Sequence, residues 1–203
     1  MPTLTLYHAI PSRSSVARWM LEEVGEPYEV KLLHLKQGEQ RQPEYLAINP
    51  MGKVPALRHG DAVITEAAAI CTYLADAFPK AGLNVPVGDP QRGVYLKWLF
   101  FGPSCIEPAI TDRAFPRKEG APTTALGYGD FDTVMEVVAK AVSQGPYLMG
   151  AQFTAADVVV GANLRWATVF KLIPERPEFQ AYIARLAGRP ALQRAEAKDK
   201  ELS

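Results

Sequence analysis

Apolar and polar positions follow two periods in the first third of the chain and one period beyond it. Leu4-Thr5-Leu6-Tyr7 predicts a short strand that ends in the Pro11 region. From Ser14 to Val24 the apolar positions Val16, Met20 and Val24 fall four apart, Glu22 and Glu23 lie on other faces, and Gly25 supplies a stop, so a helix is expected. Tyr28-Glu29-Val30-Lys31-Leu32 alternates and reads as a strand. Pro43 to Ile48 predicts a short helix, closed by the turn formers Asn49-Pro50-Met51-Gly52. Lys53 to Leu57 and Ala62 to Ile64 read as two strands joined at His59-Gly60-Asp61, and Thr65 to Phe78 as a helix with Ala67, Ile70, Leu74 and Phe78 on one face. The predicted order β-α-β-(α)-β-β-α is a thioredoxin-like plan.

Beyond the turn-rich stretch that runs from Phe78 to Pro90 the strand period disappears. Helices are expected over Gln91–Phe101, Asp130–Val142, Val158–Phe170, Pro177–Leu186 and Pro190–Ala197, with an exposed loop from Pro116 to Gly129 broken by glycine and proline. Thr154 and Asp157 form the sequence signature of a capping box, with Phe153 and Val158 at staple positions, and the helix they start is apolar almost all round. Their spacing is explained by capping alone, so neither is assigned to catalysis. The expected architecture is an α/β thioredoxin-like domain over residues 1–81, then an all-α helical bundle over 87–203.

Composition narrows the function classes. Of the 203 residues 48% are apolar and 22% charged, ordinary for a globular protein that buries a core without staples. The 22 basic side chains equal the 22 acidic ones, which removes the electrostatic footprint of a nucleic-acid or anionic-membrane binder. The opening residues lack a basic start followed by an apolar run, and no segment has the length of a membrane helix, so the cytoplasm is the expected compartment. The two cysteines, Cys71 and Cys105, are far apart and have no C-x-x-C partner, so they read as small buried hydrophobes rather than a disulfide or a redox pair. His8, His34 and His59 have no metal-ligand spacing, and no metal is expected.

Four strings then carry a resemblance. Ser12-Arg13-Ser14-Ser15-Val16-Ala17-Arg18 through Glu29 is similar to the first helix and second strand of glutathione S-transferases. Asn49-Pro50-Met51-Gly52-Lys53-Val54-Pro55-Ala56-Leu57 resembles the family's turn into a cis-proline strand, and Thr65-Glu66-Ala67-Ala68-Ala69-Ile70 the helix that receives the glutamyl end of glutathione. Phe153-Thr154-Ala155-Ala156-Asp157-Val158 is similar to the family's central capping box. The resemblance implies glutathione as co-substrate, a small electrophile as acceptor, detoxification as the role, and a homodimer.

Glutathione carries two carboxylates, an ammonium and a thiol, and the thiolate is the nucleophile. A hydroxyl donor, a helix N-terminus or a nearby cation favours S⁻ over SH. The resemblance offers three hydroxyls as that donor. Ser12 comes first, between strand and helix; Ser14 second, because loop length shifts the match; and Tyr7 third, where other classes keep a tyrosine. Helix capping by the serines and strand packing by the tyrosine account for the same residues without a ligand. The resemblance also implies a cis bond before Pro55, with the Val54 N–H and C=O pairing with the cysteinyl backbone of glutathione. Glu66 would take the γ-glutamyl ammonium, the helix N-terminus at Ala67 its carboxylate, and Lys53 the glycyl carboxylate. Glu66 equally suits a first-turn position and Lys53 a solvated turn.

Ala67 departs from the family, which commonly places serine there. The lost hydrogen bond to a charged group is worth about 1.5–3 kcal/mol, or roughly ten- to a hundredfold in affinity. That departure keeps a non-catalytic interaction or regulatory protein in view, beside a glutathione-dependent isomerase or peroxidase. The isomerases usually show a Ser-Ser-Cys-Ser run, which Pro11-Ser12-Arg13-Ser14 does not match. Tyr95, Trp98, Phe101 and Cys105 share a helical spacing that fits either an acceptor pocket or a core, and His8 either lines the site or simply packs.

Overall fold

In the computed structural model, which describes residues 3–116 and 118–202, the chain divides into two compact units. One runs to Gly82 and resumes at Arg189; the other spans Leu83–Gly188. The first contains β1 (Leu4–His8), α1 (Ser14–Val24), β2 (Tyr28–Leu32), α2 (Pro43–Leu46), β3 (Ala56–His59), β4 (Ala62–Thr65) and α3 (Ala67–Ala77). The strands form a four-stranded mixed sheet in the order β2-β1-β3-β4. β1 runs parallel to β2 with Leu6 opposite Val30, and antiparallel to β3 with Leu6 opposite Leu57; β3 and β4 are an antiparallel hairpin. This is the expected thioredoxin-like sheet.

β1 is buried along its whole length, and successive side chains point to opposite faces. Leu4, Leu6 and His8 therefore share the face covered by α1. Tyr7 faces the other way, into a cluster with Leu33, Tyr45 and Ala56. α1 buries Ala17, Trp19, Met20 and Leu21 and stops at Gly25, whose φ of 79° only glycine adopts without strain and whose N–H bonds the Leu21 carbonyl at 3.0 Å.

Two local departures have plain causes. Strand β3 starts at Ala56 rather than Lys53, because Pro55 has no N–H to give the ladder. α3 starts at Ala67 because Glu66, at φ 66° and ψ 120°, lies outside helical space. Two 3₁₀ turns, Leu35–Gln37 and Glu39–Arg41, precede α2 and have no apolar period to announce them.

The second unit is helical, with α4 (Arg92–Phe101), α5 (Glu107–Ala114), α6 (Phe131–Ser143), α7 (Ala155–Val169) and α8 (Pro177–Ala187). Among its described residues the only β pairing is two isolated bridges within 147–152. α4 continues through a π-helical turn, Gly102–Ile106, straight into α5. Pro103 and Pro108 hide this continuity in the sequence, and Gly102 makes it possible: a Cβ there would meet Val159 Cγ1 at 2.7 Å. The capping box of α7 forms as expected. Asp157 accepts the Thr154 N–H at 2.9 Å and also ties the helix start to Leu148 N–H and Tyr182 Oη, each at 2.8 Å. Tyr95 and Trp98 are buried in this unit, so the shared aromatic spacing on α4 is core; Phe101 packs edge-on against Trp98 at 5.3 Å, and Cys105 is half-buried. The expected loop 116–129 carries one 3₁₀ turn, Thr123–Ala125; Arg117 lies outside the described residues.

The last helix, α9 (Pro190–Glu201), groups with the first unit, whereas its sequence suggested only continuation of the helical domain. Ala191, Leu192 and Ala195 bury its inner face, and it packs along α1. Arg189 forks onto Glu23 with bonds of 2.6 and 2.7 Å; Arg194 meets Glu22 at 3.0 Å, and Lys198 pairs with the same carboxylate. No helix among the described residues is long and apolar enough to cross a membrane.

Candidate functional site

The loop between β1 and α1 turns through a cis Ile10–Pro11 bond and delivers Ser12 and Ser14 side by side. Their hydroxyl oxygens lie 2.6 Å apart. Ser12 Oγ accepts the Ser14 N–H at 3.0 Å in a local serine turn, whereas the N-cap of α1 is Arg13 and no side chain caps it. The two serines differ in exposure: Ser14 is fully buried, Ser12 half-buried. Ser14 Oγ contacts Ala9 N at 3.0 Å, Ala9 O at 3.1 Å and His8 Nδ1 at 2.7 Å.

The network reaches further. His8 Nε2 lies 3.1 Å from Asp199 Oδ1 on α9, and the same carboxylate accepts Arg18 Nη1 at 2.7 Å and Ser15 Oγ at 2.6 Å. Burial pulls the Asp199 carboxyl upward, but the bonds from His8, Ser15 and Arg18 outweigh it and hold the acid below its ordinary range. Asp199 is therefore a carboxylate at neutral pH. Tyr7, the third hydroxyl, belongs to the cluster on the other sheet face, with its ring 5.7 Å from that of Tyr45 and Lys31 Nζ 5.7 Å from its centroid.

The second wall begins at the turn after α2. Asn49 is buried and locks it, accepting the Met51 N–H at 3.1 Å and donating to the Lys53 carbonyl at 2.8 Å; Tyr45 Oη donates to that carbonyl at 2.6 Å. Burial pushes the Tyr45 phenol up to about 12, so it stays a donor. Gly52, at φ 60°, is needed twice over, since a Cβ would lie 2.8 Å from both Arg41 Nη1 and the Gln40 carbonyl. The Val54–Pro55 bond is cis. Val54 packs on the Tyr7–Tyr45 cluster, and among the described residues its N–H and C=O have no hydrogen-bond partner. Lys53 is exposed.

The third wall is the start of α3. Glu66 is exposed and held at a positive φ, and its carbonyl accepts the Ile70 N–H at 2.9 Å. No side chain caps the first turn, so the N–H groups beginning at Ala67 point outward with the positive end of the helix dipole. The register sets Tyr7 opposite Ala56 and Ala56 opposite Thr65, so one end of the sheet carries a hydroxyl, an open peptide edge and an uncapped helix start of the kind that suits an anion. Cys71 is fully buried and burial pushes its thiol far up; Cys105 is shifted the same way, so neither supplies a ready thiolate. Among the described residues no cluster of three or more His, Cys, Asp or Glu is placed to hold a metal ion.

Sequence reasoning missed Asp199 and the part His8 plays. Asp199 is 191 residues from His8, and no local pattern signals a contact made only when α9 docks.

Residues 2–76 match the glutathione S-transferase N-terminal domain and residues 113–185 the glutathione S-transferase C-terminal domain. The chain is 30% identical over 197 residues to glutathione S-transferase GstA of Escherichia coli O157:H7, covering 95% of this chain and 96% of that one. It is similar to a glutathione transferase from Methylococcus capsulatus, at 29% identity and a TM-score of 0.80, over 98% of this chain and 99% of the other. A glutathione transferase homologue from Sulfitobacter, solved with bound glutathione, matches at 25% identity and a TM-score of 0.78, over 98% and 99% of the two chains. With both halves matched and nearly the whole length covered, the chain belongs to the glutathione S-transferase family.

Proposed function

We propose that the chain binds glutathione along the Val54 edge, holds its sulfur as thiolate beside Ser12, and directs it at an electrophilic carbon of an apolar acceptor. The thiol proton leaves to solvent, the sulfur lone pair forms the new S–C bond, and the leaving group departs with the old bonding pair. Ser12 takes the role of hydroxyl donor because it is the half-buried end of the serine pair, whereas Ser14 is fully enclosed and Tyr7 belongs to the core cluster. Val54 supplies strand-like pairing to the cysteinyl unit. Glu66 faces the γ-glutamyl ammonium, the Ala67 end of α3 its carboxylate, and Lys53 the glycyl carboxylate. The protein works as a serine-type enzyme in the cytoplasm, as a homodimer, removing reactive apolar compounds.

The observation that carries this is the unpaired peptide edge at Val54, at the end of the sheet where β1 runs out toward Ser12, β3 begins and β4 leads into the uncapped turn of α3. Calorimetric titration with glutathione to millimolar concentration, paired with a conjugation assay on an aryl halide, tests it. Saturable heat and measurable conjugation are expected. Absence of saturation removes the transferase reading, and saturation without conjugation turns it into a glutathione-binding module.

A further inference from the structure

The hydrogen-bond chain Asp199–His8–Ser14–Ser12 has one hydrogen per link, and its direction follows from counting once the short contacts of Ser14 Oγ, 2.7 Å to His8 and 2.6 Å to Ser12, take precedence over its 3.1 Å contact with the Ala9 carbonyl. At neutral pH Asp199 Oδ1 faces His8 Nε2 at 3.1 Å, and a lone pair on that nitrogen would oppose a carboxylate; Nε2 therefore carries a proton. Ser14 Oγ accepts the Ala9 N–H at 3.0 Å, which uses one of its two lone pairs. The remaining bonds depend on His8 Nδ1.

When His8 is neutral, Nδ1 is an acceptor at 2.7 Å and takes the Ser14 hydrogen. Ser14 then has one lone pair left, and the 2.6 Å contact with Ser12 must be filled by the Ser12 hydrogen. Ser12 turns its proton inward and presents a lone pair outward. When His8 is protonated, Nδ1–H donates to Ser14, whose lone pairs are now both used. The hydrogen between the serines must come from Ser14. Ser12 Oγ accepts it together with the Ser14 N–H at 3.0 Å, and its own hydrogen points out of the network.

We infer that His8, oriented by Asp199, is a positioning residue that sets whether Ser12 offers a hydrogen or a lone pair to the sulfur of bound glutathione. A thiolate needs the donor and a thiol tolerates the acceptor, so protonated His8 and thiolate glutathione stabilise each other. The charged groups facing His8 are Asp199 from α9 and, through the same carboxylate, Arg18 from α1; the residue just after β2 contributes a backbone bond, from Leu33 N–H to the His8 carbonyl. His8 is fully buried, so the network and not solvent decides its protons. Histidine is the side chain whose charge changes near neutral pH.

This inference rests on the proposed role of Ser12, and the test separates the two. The protein has three histidines, so the imidazole ¹⁵N spectrum is simple, and a His8→Asn variant assigns the His8 signals. Neutral His8 is expected as the Nε2–H tautomer. Its titration midpoint is expected about half a pH unit or more higher with saturating glutathione than with S-methylglutathione, which cannot form a thiolate. In Ser14→Ala, which keeps both charges but breaks the chain, most of that difference disappears. A neutral Nδ1–H tautomer, or equal midpoints with the two ligands, overturns the relay on the unmodified protein even if Ser14→Ala fails to fold. A difference that survives intact in folded Ser14→Ala shows plain charge–charge coupling and also overturns it. Ser12→Ala reports on the underlying role: if the ultraviolet thiolate band of bound glutathione titrates unchanged in that variant, the Ser12 assignment fails first.

Discussion

Ala67 opens α3 with a methyl group, where a hydroxyl would add one more donor to an uncapped helix start. Under the proposed function the backbone N–H groups alone would hold the glutamyl carboxylate there, at the positive end of the dipole. Ala67→Ser is therefore expected to tighten glutathione binding by about tenfold, the value of one hydrogen bond to a charged group at the low end of its range. Isothermal calorimetry on the two proteins measures this directly, and unchanged affinity would remove the carboxylate from that end of α3. The neighbouring residue makes the opposite trade. Glu66 is held at φ 66°, a conformation that costs a side-chain-bearing residue on the order of 1–3 kcal/mol. Glu66→Gly releases the strain and is expected to raise stability by about 1 kcal/mol in urea melts, while on the proposed reading glutathione affinity falls because the carboxylate assigned to the ammonium is gone. A variant that loses stability as well would mean that Glu66 is retained for the fold and not for the ligand.

The elements differ in how openly the sequence declares them. β1, α1, β2 and α7 were legible because a strong period, a glycine stop or a capping box marks each one locally, and α7 starts where Thr154 and Asp157 said it would. α5 was not, because its proline-rich entry reads as a break while Gly102 lets the helix run on against Val159. The site divides in the same way. Ser12, Val54 and Glu66 sit in strings that carry the family resemblance, whereas the Asp199–His8 link exists only after α9 docks on α1. That docking is electrostatic as well as apolar, and it has a pH signature. Burial pulls Glu22 upward, but Lys198, Tyr28 and Arg194 outweigh it and hold the acid below its ordinary range; Tyr28 Oη donates to it at 2.5 Å. Asp199 is depressed likewise. A carboxyl whose pKa is lower folded than unfolded stabilises the fold at pH above its unfolded value, and that contribution is lost as pH falls through the folded value. Stability is therefore expected to decline as pH falls below the ordinary carboxylate range, and Glu22→Gln to flatten that slope while costing about 1.5–3 kcal/mol at pH 7. Urea melts across the range measure both. An unchanged slope in the variant would mean that other carboxyls carry the acid sensitivity.

At the scale of the molecule, the chain leaves its first compact unit at Gly82 and returns to it at Arg189, so the unit proposed to bind glutathione is completed only by the last helix. α9 buries Ala191, Leu192 and Ala195, neutralises Glu22 and Glu23 on α1, and carries Asp199 to the serine network. Ending the chain at Gly188 strands Glu22, which is only 6% exposed at its side chain, and leaves Arg18, 5% exposed, without its acid. Losing these ion pairs together with the apolar cover of Ala191, Leu192 and Ala195 costs several kcal/mol, comparable with the whole stability of a small domain. The expected outcome is loss of the first unit and with it of glutathione binding, while the helices of the second unit keep their own core around Tyr95, Tyr182 and Phe179. Tryptophan separates the two events, because Trp19 lies in α1 and Trp98 and Trp166 lie in α4 and α7. A protein truncated after Gly188, with Trp98 and Trp166 replaced by phenylalanine, should show the red-shifted emission of an exposed indole and fail to bind glutathione. Blue emission with binding retained would mean that α9 is an ornament on the first unit. Red emission from the untruncated double-phenylalanine protein would instead blame the replacements, so the comparison carries its own control.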